Sequence, residues 1–434
     1  MGKLRKSSFL KIYKKKEGYL VLCLLSRKLF LLNSSWKNLL EDSSKNNFLA
    51  REYISSGLLT KSVTYKEEVA EYFNRKTKTN EQELLIYFTI TSKCDLKCSY
   101  CFENHLKRKD ASISTIRLFT KLLENSLKNN QKIKRVKVTL FGGEPLLRVD
   151  RCLLLLSMVK NVCSKQDISC KFSMVSNGIL FKKKEIYDLR RLGLTDMQIT
   201  FDGWKNSHDE IRKSNKIGYE DLLKNVSWLG KSFNLILKYN IRKLNVDDFD
   251  NFIKDIKDLK LKNVIVKLEA LQSTLTSKDD SFYFSSLDPK LAEIYFNLTK
   301  IVIANDLEVD ITSAIKPPCM VSMQNSLMIE PDGDISACVS AYKISKLFLG
   351  NLKKIKDLQL VLPCKKGKIK IKNYILEAMK KKCLPEKCSY FPICETGCLF
   401  AKETLKMDYD VPYCRKQYFD KLIPGLIELK TLFE

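Results

Sequence analysis

Histidine is nearly missing from this chain: two residues, His105 and His208, in 434. With so little imidazole, acid–base chemistry by histidine is not the theme. Long apolar runs are missing too. No uncharged hydrophobic stretch approaches the 18 or more residues that a membrane span needs, and no membrane partner is expected. The segment YLVLCLLSRKLFLLN is interrupted by Arg27 and Lys28, which predicts two strands of a hairpin. The basic start MGKLRK before it imitates a signal peptide, but no small-residue cleavage site follows. A cytoplasmic location is expected. Acidic residues are outnumbered, 50 against 77 Lys and Arg, for a net charge of +27. The lysines are scattered rather than blocked into one arm, which reads as a solvated surface; a nucleic-acid partner is not expected.

Cysteine is what the chain has in plenty. Fifteen are present. An odd, clustered set in a chain of cytosolic character argues for metal rather than a disulfide framework. Cys23, Cys152, Cys163 and Cys170 fall in apolar or strand-like contexts and read as small core residues. Cys94, Cys98 and Cys101 stand in TSKCDLKCSYCFE, spaced C-x3-C-x2-C. A structural zinc site takes four ligands and closes itself; His105 could complete such a knuckle. Three thiolates on one loop suit an iron–sulfur cluster with one open iron.

Around that loop the sequence alternates. LLIYFTI, RVKVTLF, CKFSMVS, MQITFD, FNLILKYNI and NVIVKLEAL read as strands. Amphipathic helical patterns lie between them, which predicts a parallel sheet of α/β type. Six units are two short of a closed eight-fold barrel. Barrel enzymes carry their chemistry on loops after the C-terminal ends of strands. Here those loops hold the cysteines, then Gly142-Gly143-Glu144-Pro145, then Ser176-Asn177-Gly178, then Asp202-Gly203 and HDEIR. Adjacent glycines permit close backbone approach, Glu144 can accept from an ammonium group, and Ser176 and Asn177 offer groups for a ribose or carboxylate.

These motifs together resemble the radical S-adenosylmethionine (SAM) superfamily. The resemblance implies a partial (β/α)6 barrel over residues 84–275, with SAM chelating the open iron of a [4Fe–4S] cluster held by Cys94, Cys98 and Cys101. It implies a SAM-contacting set of Tyr100, Gly143, Glu144, Ser176, Asn177, Thr200, Asp202 and Arg212. ITFDG followed by HDEIR is similar to the SxDG…HDxxR pattern of one subfamily, in which the arginine meets the SAM carboxylate; Thr200 stands where serine is commoner. Without the resemblance, Asp202 reads as a turn or cap and His208 as a packed structural residue.

The C-terminal cysteines extend the likeness. Cys319, Cys338, Cys383, Cys388, Cys394, Cys398 and Cys414 resemble the SPASM domain, placed at residues 310–420, which binds two auxiliary [4Fe–4S] clusters. Family order implies Cys319, Cys338 and Cys398 for the first cluster. Cys383, Cys388, Cys394 and Cys414 follow for the second. The first lacks a fourth ligand: Cys364 or a neighbour completes it, or one iron stays open. C-x4-C from Cys383 to Cys388 departs from the usual two-residue spacing, and zinc ribbons could use similar cysteines.

SPASM proteins mostly modify peptides or proteins, so the resemblance implies a maturase acting on a ribosomal precursor peptide. A 5′-deoxyadenosyl radical would abstract hydrogen, and a cross-link or other modification would follow. A flavodoxin- or ferredoxin-type electron donor is implied. Sulfatase-maturing members carry an aspartate after the second auxiliary cysteine; here Val339 follows Cys338. An RNA-modifying radical SAM enzyme and a zinc-binding nucleic-acid protein are the remaining readings. Residues 1–80 read as a small α+β unit, with strands SFLKIYK, YLVLCLL and KLFLLN and helical pieces at SWKNLLED and FLAREYISSG. The unit is similar to the winged-helix-like element that binds leader peptides by strand addition, or else it simply packs on the barrel. The stretch NRKTKTNEQ after it reads as a polar linker.

Overall fold

The computed structural model describes residues 4–15, 18–33, 48–101, 103, 107–213, 218–271, 284–285, 287–311, 315, 319–340, 344–355 and 361–433. SWKNLLED and His105 lie outside the described residues, as does the side chain of Cys364.

A run of six parallel strands forms the centre: β6 (Glu83–Thr91), β7 (Arg135–Gly142), β8 (Ser169–Ser176), β9 (Leu194–Phe201), β10 (Asn234–Ile241) and β11 (Val264–Ala270). They pair in chain order, each with the next. Alternation decides their faces. Leu84, Ile86, Phe88 and Ile90 of β6 are buried toward the helix Ile113–Asn129, where Phe88 meets Phe119 edge-on at 5.2 Å. That helix starts on Ser112, whose side chain accepts from Thr115 N at 2.9 Å. The connecting helices Val149–Ser164, Lys183–Leu192, Tyr219–Leu229 and Phe249–Asp258 fall where the amphipathic patterns placed them.

The other face is concave. Strands stand about 4.8 Å apart, so β6 and β11 would be far separated in a flat sheet. Yet Tyr87 of β6 feels the charges of Lys267 and Glu269 on β11. The sheet therefore curls, giving an open, partial barrel.

The sheet does not stop at six strands. β12 (Glu308–Val309) extends it beyond β11. On the opposite edge β13 (Ser326–Ile329) lies parallel to β6, followed by antiparallel β14 (Asp334–Ser336) and β15 (Phe348–Asn351). The start of the cysteine-rich region is thus built into the same ten-stranded sheet as the barrel. Sequence patterning missed β13 to β15: the strands are short, and β13 is buried on both faces, so no alternation marks it.

The N-terminal unit contains a three-stranded antiparallel sheet of β2 (Leu10–Lys15), β3 (Gly18–Cys23) and β4 (Lys28–Leu32), with Arg27 at φ 58° in the β3–β4 turn. This is the hairpin expected from the split apolar segment. β1 (Arg5–Lys6) pairs separately with β5 (Leu59–Thr60), next to the helix Phe48–Ser55.

The polar linker is a correction: NRKTKTNEQ is largely the last turns of a helix, Tyr65–Asn80. Its apolar content lies upstream, in Val69, Tyr72 and Phe73, which are buried with Phe391 of the C-terminal region. Lys76 is held by a buried ion pair with Glu395. Glu395 also accepts from Tyr72 Oη at 2.5 Å and Ser322 Oγ at 2.5 Å. Tertiary packing overrides a weak local signal here.

Removing one partner of a buried pair strands the other charge, at a cost of about 3 kcal/mol or more. Lys76→Ala should therefore lower unfolding stability by about that amount in urea melts. Lys66→Ala, at an exposed position of the same helix, is the comparison and should change it little.

Candidate active site

The cysteine loop leaves the end of β6 and has no regular structure of its own. Two glycines hold it. Gly143 N donates to Thr91 O at 2.9 Å, and Glu144 N donates to Lys93 O at 2.8 Å. A Cβ on Gly142 (φ +132°) would sit 2.2 Å from Thr91 O, and one on Gly143 2.2 Å from Lys93 O. The close approach these glycines permit is to the loop's own main chain.

Glu144 is fully buried. Its carboxylate accepts from Asn177 N at 2.7 Å, Leu146 N at 3.0 Å and Ser176 Oγ at 3.0 Å. Burial pushes its pKa up to about 7, against the pull of those donors. Glu144 thus ties the end of β7 to the end of β8. Asn177 then reaches the loop itself, donating from Nδ2 to Asp95 Oδ1 at 2.8 Å. Asp95 carried no motif and was missed in the sequence.

The other side of the loop is held by a buried network centred on Asp202. Its Oδ2 accepts from Tyr100 Oη at 2.9 Å and Arg212 Nε at 2.5 Å, and its Oδ1 from Asn240 Nδ2 at 2.7 Å. Arg212 also donates to Thr200 O at 2.9 Å, which is the role the structure gives Thr200. Asp202 O accepts from Arg242 at 2.5 Å and Asn245 Nδ2 at 2.9 Å. Burial opposes the Asp202 carboxylate, but Arg212 and the hydrogen bonds prevail and hold it below the usual range. His208 is a packed residue: Nδ1 accepts from Asp202 N at 3.2 Å, and burial pushes its pKa down to about 3. Asn240 stands near the end of β10 and Arg242 and Asn245 follow it, where no glycine or paired motif marked the loop.

Cys94, Cys98 and Cys101 are brought together beside Leu96 and Ile179. Burial pushes the Cys94 and Cys101 thiols up to about 12, and Cys98 in the same direction. Such thiols stay protonated unless a metal takes their place as the proton's competitor.

The C-terminal cysteines separate into two neighbourhoods. Cys338 is pushed up by burial and then by Cys319 and Cys398. Cys383 is pushed up to about 12 by burial and then by Cys388, Cys394 and Cys414. The long Cys383–Cys388 spacing is accommodated by a π-turn ending at Cys383 and a tight turn with Lys387 at φ 46°. This brings Cys388 N to Cys383 O at 3.0 Å.

The donor set fits clusters better than zinc. Four sulfurs at 2.3 Å from one zinc ion lie about 3.8 Å apart. Among the described residues, the one group of three or more ligand atoms within 4.8 Å of one another is Glu330, Asp332 and Asp334. Among the described residues, no three cysteine sulfurs all lie within that distance of one another.

Residues 88–256 match the family model described as the radical SAM superfamily. Among curated proteins, the radical SAM cyclopropyl synthase TigE of Paramaledivibacter caminithermalis is 24% identical over 367 residues. That alignment takes in 78% of this chain and 73% of TigE. The cysteine-type anaerobic sulfatase-maturating enzyme of Clostridium novyi is 24% identical over 389 residues, 79% of this chain and 96% of that protein. Among solved structures, Streptococcus suis SuiB bound to precursor peptide SuiA superposes with a TM-score of 0.57 at 14% identity. That likeness covers 95% of this chain and 100% of SuiB, and it is a likeness of fold. The family match begins inside β6 and ends in the helix after β10, so it is the sheet bearing the cysteine loop that is similar to the radical SAM superfamily.

Proposed function

We propose that the protein is a radical SAM maturase that modifies a ribosomally made precursor peptide. The observation that carries it is the gathering of ten cysteines in three neighbourhoods, one at the mouth of the curled sheet and two in the region stitched to its edge. Cys94, Cys98 and Cys101 would hold the SAM-binding cluster. The auxiliary clusters would take Cys319, Cys338 and Cys398, and Cys383, Cys388, Cys394 and Cys414. With SAM bound, the first cluster supplies a 5′-deoxyadenosyl radical when reduced.

The chain's own residues position that chemistry. Glu144 is enclosed and supplied with donors, so the main chain of Gly142–Glu144 is the better candidate for the SAM amino group. Ser176 and Asn177 lie beside it. Tyr100, Thr200, Asp202 and Arg212 hold the far side of the loop; Arg212 would face the SAM carboxylate while staying paired with Asp202.

The peptide class has two supports. SuiB, similar in fold, is solved bound to a precursor peptide, and among the described residues β4 is an edge strand of the sheet β2–β4 that could accept a leader by strand addition. Sulfatase maturation, the activity in the name of the C. novyi relative, is the second reading. Val339 after Cys338 provides no carboxylate base there, which counts against it.

Anaerobic reconstitution should load roughly twelve irons per chain, three four-iron clusters. Cys98→Ala should lose about a third of that iron and all reductive SAM cleavage, whereas Cys23→Ala should keep both. Zinc in place of iron, or 5′-deoxyadenosine still formed by Cys98→Ala, would overturn the assignment. Gly143→Ala, whose Cβ would strike Lys93 O, should lower iron content in the same assay without removing a ligand.

Co-expression with any short reading frame found beside its gene, read by mass spectrometry, tests the substrate. A modified short peptide supports the proposal, with modification falling several-fold in Leu31→Glu on the exposed face of β4. Formylglycine made from a sulfatase cysteine or serine would replace it with the second reading.

A further inference from the structure

The concave face of the sheet carries charge that the cluster chemistry does not use. On β10, Leu237 and Tyr239 are buried on the outer face, Tyr239 against Phe249 at 4.8 Å. Alternation turns Lys238 and Asn240 inward. On β11, Val266 and Leu268 are buried outward, so Lys267 and Glu269 point inward. The register sets Lys238 beside Lys267 and Asn240 beside Glu269.

Like charges side by side on neighbouring strands are destabilising. One carboxylate oxygen answers both. Glu269 Oε2 lies 3.3 Å from Lys238 Nζ and 3.6 Å from Lys267 Nζ. Two ammonium groups thus share one carboxylate oxygen. The three side chains stay partly open, 22%, 28% and 34% exposed, in the hollow of the sheet. Tyr87 lines the same hollow: burial raises its pKa, with Lys267 opposing the rise and Glu269 and Cys319 adding to it. Alternation puts Tyr87 of β6 on the same inward face of the sheet as these side chains. Asn240, level with Glu269, donates to Asp202 and Tyr100 of the network holding the cysteine loop. Lys238 sits one inward-facing position before Asn240 on β10, and Lys267 one before Glu269 on β11, so the lysines lie next to the network that holds the cysteine loop.

We propose that Lys238 and Lys267 form a binding site for a carboxylate of the peptide substrate, with Glu269 as the internal anion that holds the pair until the ligand arrives. This rests on the peptide reading above and names a chemical requirement of that peptide: an acidic group close to the carbon that is modified. The carboxylate belongs either to an Asp or Glu side chain or to the peptide's C-terminus. Lysine suits the task, being a compact point charge on a flexible stem.

The test uses the reconstituted full-length enzyme loaded with SAM and four synthetic probes read by calorimetry. Two are blocked pentapeptides with a central Asp or Asn among glycines. Two are pentaglycines with a free or an amidated C-terminus. The Asp probe should bind about tenfold more tightly than the Asn probe if a side chain is the source. The free acid should exceed its amide by about tenfold if the C-terminus is. Lys238→Gln with Lys267→Gln should erase the preference, while Glu269→Gln, which removes the competing anion, should enlarge it.

Equal binding within both pairs, a preference that survives the double variant, or a preference weakened by Glu269→Gln as a merely structural role requires, would each overturn the site. SAM cleavage without peptide is followed on the same variants; its loss in the double variant would assign the lysines to SAM and overturn the proposal too. Failure of the unmodified enzyme to cleave SAM would instead strike the radical reading, with the carboxylate preference still read from binding.

Discussion

Everything at the mouth of the barrel depends on holding an irregular loop still. Three thiolates can meet one cluster only if the backbone between Thr91 and Cys101 has a single path. Regular hydrogen bonding cannot supply that path, so neighbouring strand ends do. Gly143 and Glu144 bond the loop's carbonyls from the β7 side, and Asn177 fastens Asp95 from the β8 side. Tyr100 is anchored on Asp202 from the β9 side. The glycines contribute by lacking a side chain, since any Cβ there would occupy the loop's backbone. Asp202 and Arg212 contribute an ion pair in a buried setting, where it gains strength only because further donors complete it.

How much of this was legible in the sequence follows from how local each signal is. The six barrel strands and the helices between them were readable because each carries its own period, and the four loop motifs because they recur after successive strands. The role of Glu144 was less legible. A carboxylate next to two glycines looks available to a ligand, and only the fold reveals that Ser176 and the amides of Leu146 and Asn177 already surround it. Asn240, Arg242 and Asn245 were invisible, because a polar residue ending a strand has no distinctive spacing. The helix Tyr65–Asn80 was misread for a related reason. Its polar half is held by Glu395, more than three hundred positions away, and composition cannot report such a partner.

That same contact changes how the N-terminal unit should be regarded. It meets the cysteine-rich region directly: Tyr65 Oη donates to Cys388 O, Tyr72 Oη to Pro392 O, and Lys11 lies over the Tyr390 ring. Glu395 follows Cys394, and Ser322 bonds both Glu395 and Cys319 O. One hydrogen-bonded chain therefore runs from the N-terminal helix to residues flanking both C-terminal cysteine groups. An element docked this way is part of the scaffold, so any leader bound on its free edge is held at a fixed offset from the barrel.

The pairing of β13 with β6 bears on how such a protein is born. β6 is the first barrel strand to leave the ribosome, and one of its two edges is paired from Leu85 to Phe88 with the distant segment Ser326–Ile329. Until synthesis reaches that segment, the strand supporting the cysteine loop presents bare amides and carbonyls to the cell. The nascent chain thus passes through a long interval with that edge unprotected. The iron of the proposed cluster would best be loaded late, after the edge has closed.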